Sequence, residues 1–584
     1  MANFNRILKP KANLGHNGFD LSTNQVFSTK VGMLNVPYVV DTVPSSTYDI
    51  DVSALVRTQT LNKPAFLRLK GFVHFYFVPY RILWHQWDNF YTQRVDQNSS
   101  YTLNHAAVPN VDIQQLVGWC IDYYDPDVGP IPGVNYSDGQ GYDAPEGVIR
   151  MLDMLGYGNY TRFFYPLDKQ SVFENTPDYH PNIFRALAYN KIWYDYHRNP
   201  FWNNEMAAKC YNADYLNCGN VRSADITQQS ISESETISNC LRLFEPKYVR
   251  WKADLFMGCL PNQQFGGSTT LSANDVFIKN LSKSDSIPSS ARTGLTTADK
   301  KLAIVNSDGA SIYNTEKWSV QDLFDVLELR KAESLQLWKE KTLRAGNRAY
   351  DQYKAHFGVE PSDLKAEHSD YIGGFSFNVG VDEVTNMTQS QDAKLGDIGA
   401  KGYGVGSHHL RYKADEFGVL MGVLYFIPEN VYTSSCIDPQ LTMADPFDFY
   451  TPEFQNVGLQ ALPRYLLSNY DDDSHGHAID NLMSTIGYTA RYFQYKTAID
   501  RVHGLFDPEL QNELATYVAT RRDLQSPRFQ YLTDGHLYVN PNIMDKIFGV
   551  NADSHQQTDQ LYCNFNFDVK AVLPMSVVGL PNYM

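Results

Sequence analysis

The stretch FLRLKGFVHFYFVPYRILW, residues 66–84, is among the most apolar in the chain, yet it carries Arg68, Lys70, His74 and Arg81. In an extended chain successive side chains alternate between two faces. Leu67, Leu69, Gly71, Val73, Phe75 and Phe77 then share one apolar face. Phe66, Arg68, Lys70, Phe72, His74, Tyr76 and Val78 share the other, where bases mix with aromatic rings. A membrane-spanning helix needs about 20 largely uncharged residues, and Arg68 and Lys70 fall inside that window. The pattern predicts a long β-strand that Pro79 ends, packed on a core through its first face. The second face is too apolar for ordinary solvent exposure and too basic for a second core.

Other strand-like runs lie near both ends of the chain. FSTKVGMLNVPYVVDTV (27–43), which Pro37 interrupts, and the alternating TYDIDVSALV (47–56) precede it, with a turn at PSS (44–46). FGVLMGVLYFIP (417–428), GYTARYFQYKTAIDRV (487–502) and LYCNFNFDVKAVLPMSVVG (561–579) follow far downstream. Strands so distant in sequence must pair, or their edges would stay open. The predicted core is therefore an all-β sandwich with very long inter-strand insertions, and the double-sheet jelly roll is its common form.

The insertions differ in character. Residues 84–165 read as loops, rich in Gly, Pro and Asp. Residues 166–215 read as helical: HPNIFRALAYNKIWYDYHRNP (180–200) has Pro181 near its start and a stripe of Phe184, Leu187, Ala188, Ile192 and Tyr196. Residues 219–315 are rich in Ser, Asn, Thr and Asp and read as a polar surface protrusion. Residues 319–357 read as a helix pair, the first capped by Ser319 with Asp322 in its first turn and Gly346 as its stop. Residues 1–24 read as a basic N-terminal arm and 25–584 as a single domain.

Composition narrows the function. The net charge of −16 argues against a broadly basic nucleic-acid-binding surface, so any such contact must be local. The 39 Tyr and 32 Phe suit wide, wet interfaces, because Tyr buries area and keeps a polar tip. The 7 Cys are scattered without a CxxC, which fits reduced thiols in a cytoplasm. The first residues lack the apolar run of a secretory signal, and no segment predicts membrane insertion.

Few motifs carry chemistry. YDDDSHGHAID (470–480) gathers Asp471, Asp472, Asp473, His475 and His477, weak candidates for a divalent metal, against the simpler reading of a solvated acidic loop. His408 and His409 are equally unspecific. GAKGYGVGSH (399–408) superficially resembles a phosphate-binding loop but lacks the Gly-Lys-Ser/Thr ending, and reads as a flexible loop between strands. Asp500, Arg501 and His503 read as a structural turn with a buried ion pair. No catalytic residue and no cofactor is predicted. Arg6, Lys9, Lys11 and Lys30, around Phe4 and Phe19, form an acid-poor cluster suited to phosphates and bases. Arg68 and Lys70 are further candidates for DNA contact.

Longer stretches carry a family resemblance. GFDLSTNQVFSTKVGMLNVPYVVDTVPSSTYDIDVSALVRTQTL (18–61) and FYFVPYRILWHQWDNFYT (75–92) resemble the opening of the major capsid protein of microviruses, small phages with circular single-stranded DNA. FRALAYNKIWYDYHRN (184–199), LQLWKEKTLRAGNRAYDQYKAHFGV (335–359), YIGG (371–374), DFYTPEFQNVG (448–458) and GYTARYFQYKTAIDRVHG (487–504) resemble its later signatures in the same order. The gokushovirus-like branch fits best, and the resemblance is weakest in 100–160 and 219–315. It implies an eight-stranded viral jelly roll and a structural protein, not an enzyme, found in the virion and assembled in the bacterial cytoplasm. It also implies pentamers and a T=1 icosahedral shell of sixty copies around single-stranded DNA. Implied partners are a small basic DNA-packaging protein, scaffolding and pilot proteins, and a host surface receptor. Residues 219–315 would form a protrusion near the threefold axis, and the mixed face of 66–78 would lie against its own loops, a neighbouring copy or the particle interior. The alternative is a carbohydrate-binding β-sandwich or glycosidase, which the aromatic and Asn-rich loops would also suit.

Overall fold

The computed structural model describes residues 15–61, 66, 68–92, 108–124, 144–164, 169–176, 180–202, 211–213, 240–264, 292–296, 301–305, 311–314, 326–345, 354–356, 367–385, 398–429, 431–432, 437–467, 484–506, 532–544, 547–548 and 559–575. Its contacts divide the chain into two compact units, residues 1–262 with 360–584, and residues 263–359.

The first unit is built on nine antiparallel strands. Those of the N-terminal half are β1 (Asn17–Asp20), β2 (Thr23–Thr29), β3 (Asn35–Thr42), β4 (Ser46–Thr58) and β5 (Leu69–Pro79). The second unit contributes a separate three-stranded sheet, β6 (Arg292–Thr296), β7 (Lys301–Val305) and β8 (Ser311–Asn314). The C-terminal half of the first unit supplies β9 (Asp370–Thr385), β10 (Ile398–Ala414), β11 (Gly418–Pro428) and, after a small hairpin of β12 (Leu459–Pro463) and β13 (Thr485–Ala490), β14 (Leu561–Leu573).

The pairing follows one rule. β14 pairs with β1 and β2, β11 with β3, β10 with β4, and β9 with β5. The N-terminal half is thus matched in reverse order by the C-terminal half, as in a long hairpin rolled on itself. Rolling adds the pairs β14–β4 and β11–β5 and makes two half-sheets, β1/β2–β14–β4–β10 and β3–β11–β5–β9, joined where β9 meets β10. Counting β1 and β2 as one interrupted strand, this is an eight-stranded jelly roll.

Alternation along the strands places the core between the half-sheets. Ile50, Val52, Ala54 and Val56 of β4, and Cys563, Phe565, Phe567 and Val569 of β14, are buried. They face Leu69, Val73, Phe75 and Phe77 of β5, the apolar face read from the sequence, all of which are buried too. Tyr38 joins the layers, its ring 5.0 Å from Phe567 and 6.3 Å from Phe75.

Several local readings change. Pro37 does not break a strand: it sits inside β3, an edge strand, opposite a register shift between Gly422 and Leu424 where the ladder needs no N–H. The glycine-rich stretch 399–408 is not a loop but part of β10. Its glycines leave room for β9's aromatic side chains; a Cβ on Gly406 would lie 2.6 Å from the Phe375 ring. Of 487–502 only residues 487–490 are strand, the end of β13, and that strand lies outside the roll. Where 84–165 reads as loops, the chain forms α1 (Ile113–Tyr124) and α2 (Ala144–Met154). Leu116, Val117, Cys120 and Ile121 of α1, with Val148, Ile149, Met151 and Leu152 of α2, repeat at helical spacing and are buried. Within 219–315, residues 240–262 are not a surface excursion, because Leu241, Leu243, Phe244, Phe256 and Cys259 are buried in the first unit. Residues 219–239 lie outside the described residues.

The helix expected at 180–200 is α3 (Phe184–Ile192), followed by a π-helical turn, Trp193–His197. Arg185 of α3 donates to Asp41 of β3 at 2.6 and 3.0 Å, and Asn190 caps the Leu243 carbonyl at 2.8 Å. In the second unit the helix read from 319 is observed as α4 (Val326–Ala345); Ser319 and Asp322 lie outside the described residues.

Phe75 is fully buried, faces Gly422 and Gly373 across its strand, and touches Tyr38. Phe75→Ala should cost about 3–5 kcal/mol. Denaturant unfolding of the variant, where it is soluble at all, should show that loss; wild-type stability would place the core elsewhere.

Candidate functional site

The mixed face of β5 is the outer face of the β3–β11–β5–β9 half-sheet, and the chain's own insertions cover only part of it. Val78 and Tyr76 are buried, Phe72 and His74 are half-buried, and Lys70 is exposed. Along this gradient runs a cleft of about 680 Å³.

Three walls build the cleft. The floor is β5 with Tyr425 and Ile427 of β11 and Tyr371 of β9. The π-helical turn after α3 supplies Tyr196 and His197, and residues 249–253 supply Arg250, Trp251 and Lys252. Asp195 fixes the turn, because it pairs with Lys191 at 3.2 Å and accepts from the Ser369 amide and hydroxyl at 3.0 and 2.7 Å. Turns of the π type recur at functional sites because they re-aim a helix's side chains.

The rings form a contiguous cluster. Phe72 stacks on Tyr425 at 5.3 Å, Tyr76 meets Tyr196 at 4.7 Å and Tyr371 at 5.5 Å. The hydroxyls of Tyr76 and Tyr425 both lie 3.2 Å from Nδ1 of His74. The imidazole has space because its neighbour is Gly374; a Cβ there would lie 2.5 Å from the His74 ring. Burial lowers the proton affinity of His74. His197 is pushed down to about 3 by burial, then by His74 and Arg250. Both rings are therefore neutral near pH 7. Nε2 of His197 is buried without a hydrogen-bond partner among the described residues.

The rim is positive. Lys70 and Lys252 are exposed and Arg250 is half-buried, against one lining carboxylate among the described residues, Glu429. Glu429 lies 3.4 Å from Arg68, whose side chain is 81% exposed. Lys70 thus stands at a cleft, and Arg68 beside it. Lys30 is different: it is fully buried, so it leaves the set of DNA-contact candidates, because a sequestered ammonium cannot meet a phosphate. Arg6, Lys9 and Lys11, and Asp471, Asp472, Asp473, His475 and His477, lie outside the described residues. Among the described residues no group of three or more His, Cys, Asp or Glu has metal-binding geometry. Arg501 pairs with Asp438 at 3.7 Å beside a bridge to Tyr432. His409 bridges Asp51 at 2.8 Å and Asp49 at 3.3 Å.

The sequence reading did not single out Tyr371, Tyr425, His197 or Arg250 for this cleft. His197 and Tyr371 fall in the similar stretches 184–199 and 371–374, Tyr425 in the strand-like run 417–428 and Arg250 in none, because their convergence depends on pairings that span the chain.

Two further surfaces are apolar and exposed. One is the outer face of the other half-sheet, where Val26, Leu55 and Val405 align through Asn564, and Val26 and Val405 are 73% and 57% exposed. The second is residues 437–467, with Leu441, Phe447, Phe449, Tyr450 and Val457 exposed. Monomeric proteins rarely show such surfaces unless they bind something.

A double-sheet jelly roll is an architecture that viral shell proteins share with lectins and cupins, and bare apolar faces suit a subunit that assembles. The family of the capsid protein (F protein) of phages matches residues 10–125 and 160–583, and the chain belongs to it. It is 22% identical to capsid protein VP1 of Chlamydia phage 1, over 98% of this chain and 96% of that protein. It is also 22% identical to capsid protein VP1 of Spiroplasma virus 4, over 94% and 92% of the two chains. A shorter match, 24% identical over 44% of this chain and 46% of the relative, is capsid protein VP1 of Bdellovibrio phage phiMH2K. The role of the chain is therefore structural: a virion component that acts by assembling with copies of itself. No helix among the described residues is long and apolar enough to cross a membrane.

The depressed proton affinity of His197 predicts a pH dependence. An unfolded His titrates near 6.5, and the folded one at about 3. Between these values the unfolded chain binds the extra proton, so stability is full above about pH 6.5 and falls as pH drops toward 3. His197→Gln should flatten the curve in this window by up to about 1.4 kcal/mol per pH unit. Urea unfolding at pH 7, 5.5 and 4.5 checks this; parallel curves for wild type and variant would place the acid sensitivity elsewhere.

Proposed function

We propose that the chain is the major subunit of a T=1 icosahedral shell that encloses a single-stranded DNA genome, assembled in the cytoplasm of a bacterial host and carrying no catalytic activity. The observation that carries this is the collinear match to phage capsid proteins over nearly the whole chain, on a jelly roll with exposed apolar side chains on its outer surfaces among the described residues. Copies of the chain cover those surfaces, in interfaces of the obligate kind that bury more than about 2,000 Å². Arg6, Lys9 and Lys11, ahead of β1, act as a basic arm on the inner side that is shorter than the expected 1–24, because Asn17–Asp20 and Thr23–Thr29 are strands of the roll. Of the polar stretch 219–315, residues 263–315 act as an elaboration that meets the host surface. A small basic protein supplies further neutralisation of the genome, and scaffolding and pilot proteins assist assembly.

Sedimentation and electron microscopy of the expressed chain test the shell. Particles or their pentamers should form, and Phe447→Asp with Phe449→Asp should stop assembly while leaving the melting temperature within a few degrees of wild type, because both side chains are exposed. Particles of normal size from the double variant would show that this surface is not an interface.

The arm has a separate signature. Each phosphate contact on a single strand contributes about −0.7 to the slope of log affinity against log salt. Replacing Arg6, Lys9 and Lys11 together by Ala should reduce the magnitude of that slope by about 2. An oligonucleotide titration across a salt series measures it; an unchanged slope would remove the arm from the DNA contacts.

A further inference from the structure

The shell reading leaves one site unassigned, the cleft on the outer face of β5. Its volume of about 680 Å³ falls in the range of ligand-binding clefts. We propose that it is a single-strand pocket: it seats a nucleobase of single-stranded nucleic acid against Tyr371 and Phe72, with the flanking phosphates on Lys70 and Lys252. The proposal rests on the reading of the chain as a shell around single-stranded DNA and names where on the subunit a strand is held.

Four observations converge. The cleft offers aromatic faces rather than a uniformly aliphatic lining; Tyr371 is 50% exposed, and Phe72 lies half-buried on Tyr425. Every base has a π-face, so such rings hold a strand without reading its sequence. The charge at the cleft is cationic in a chain of net charge −16, with Lys70, Arg250 and Lys252 against Glu429 among the described residues. At the back, His197 presents a buried ring nitrogen with no partner among the described residues, next to the His74 imidazole. A base edge supplies both donors and acceptors for such a group. Finally, the lining is held in place: Gly374 leaves room for His74, and Asp195 locks the turn that carries Tyr196 and His197. A sugar-binding cleft would gather several carboxylate and amide acceptors around its rings, whereas among the described residues the lining holds one carboxylate, Glu429, and one amide, Asn199.

The test uses the purified full chain, an oligothymidine ten nucleotides long, and an abasic strand of the same length. Fluorescence anisotropy across a salt series gives affinity and slope. Tyr371→Ala should weaken oligothymidine binding about tenfold with the slope unchanged, since a stacking contact and no charge is lost. Tyr371→Phe should bind as wild type, which separates loss of the ring from loss of the fold. Lys70→Gln should reduce the magnitude of the slope by about 0.7. The abasic strand should bind wild type more weakly and be indifferent to Tyr371→Ala. Oligonucleotides carrying 5-iododeoxyuridine should cross-link to the peptides that hold Phe72 or Tyr371. Equal affinity of the abasic strand, unchanged binding by Tyr371→Ala, or cross-links confined to other segments would each overturn the pocket. So would inorganic phosphate or a sugar phosphate that competes as well as oligothymidine, because the site would then hold phosphate alone. Sedimentation of the same samples keeps the two readings apart. Particles from variants with undiminished oligothymidine affinity overturn the pocket and leave the shell standing. A wild-type chain that never assembles overturns the shell, while the binding titrations still decide the pocket.

Discussion

Strand β14 closes the roll, and the rest of the fold depends on it. It lies between β2 and β4, so it fills two open edges at once. Its inward residues, from Leu561 to Ala571, are all buried, while Tyr562, Asn564, Asn566, Asp568 and Lys570 face out. A slip of one residue would turn Phe565 and Phe567 outward and bring Asp568 and Lys570 into the core, so the register is strongly set. The strand joins the two ends of the chain across excursions at 80–369 and 429–560. Loop closure makes this tolerable, since each doubling of a loop adds only about 0.6 kcal/mol. What it does cost is speed, because non-local pairing folds slowly. A rolled hairpin can therefore carry insertions longer than its strands, provided they leave the strand pairings intact.

The insertions of the first unit are not passengers. Arg150 of α2 makes a two-pronged contact with Asp559 at 2.7 and 3.2 Å and donates to the Ser28 carbonyl at 2.9 Å, so it ties α2 to the start of β14 and the end of β2. Asp559 is almost wholly buried, and a buried carboxylate must be paired. Tyr189 of α3 joins β3 to the 240–262 segment, donating to the Leu34 carbonyl at 3.0 Å and accepting from the Lys247 amide at 2.8 Å. These ties settle which part of the β5 outer face is covered and which remains a cleft. The answer to the mixed pattern of residues 66–78 is thus graded along the strand: own-chain packing at Tyr76 and Val78, open lining at Lys70 and Phe72.

Legibility followed the range of the interaction. β4, β5, β11 and β14 alternate or run apolar within their own span, and the sequence places all four. β9 and β10 were harder. Gly402, Gly404 and Gly406 leave the first half of β10's inward face without apolar side chains, which resume only at Leu410, because Phe375 and Phe377 of β9 and Thr58 of β4 fill that space. A rule that reads side chains along one strand cannot see a side chain supplied by its neighbour. Residues 240–262 misled for a related reason: their apolar groups are packed by isolated bridges to Met33, Tyr488 and Tyr538, without regular periodicity. Lys30 looked like part of a basic arm because only its burial, a tertiary fact, distinguishes it from Lys9 or Lys11. The cleft was legible by half: the face of β5 was visible as an anomaly, while its partners on β9, β11 and the π-helical turn come together only through the roll.

Charge places the two outer faces in different roles. On the β14 side, a ladder across four strands runs Asp20, Lys570, Asp49, Arg411, with signs alternating at every step. Opposite charges directly across strands attract, and His409 adds a contact to both Asp49 and Asp51. Along this row the charges are spent on one another, while the bare Val26 and Val405 nearby suit apolar contact with protein. On the β5 side the cations at the cleft outnumber the carboxylate, and the rings beside them suit bases. At physiological ionic strength fields from distant charges fade within about 8 Å, so the net charge of −16 does not cancel a local cluster of this kind. An acidic subunit can therefore pack against its neighbours through one face and hold an anionic strand on the other, because it is the few charges within a screening length of each surface that decide what binds there.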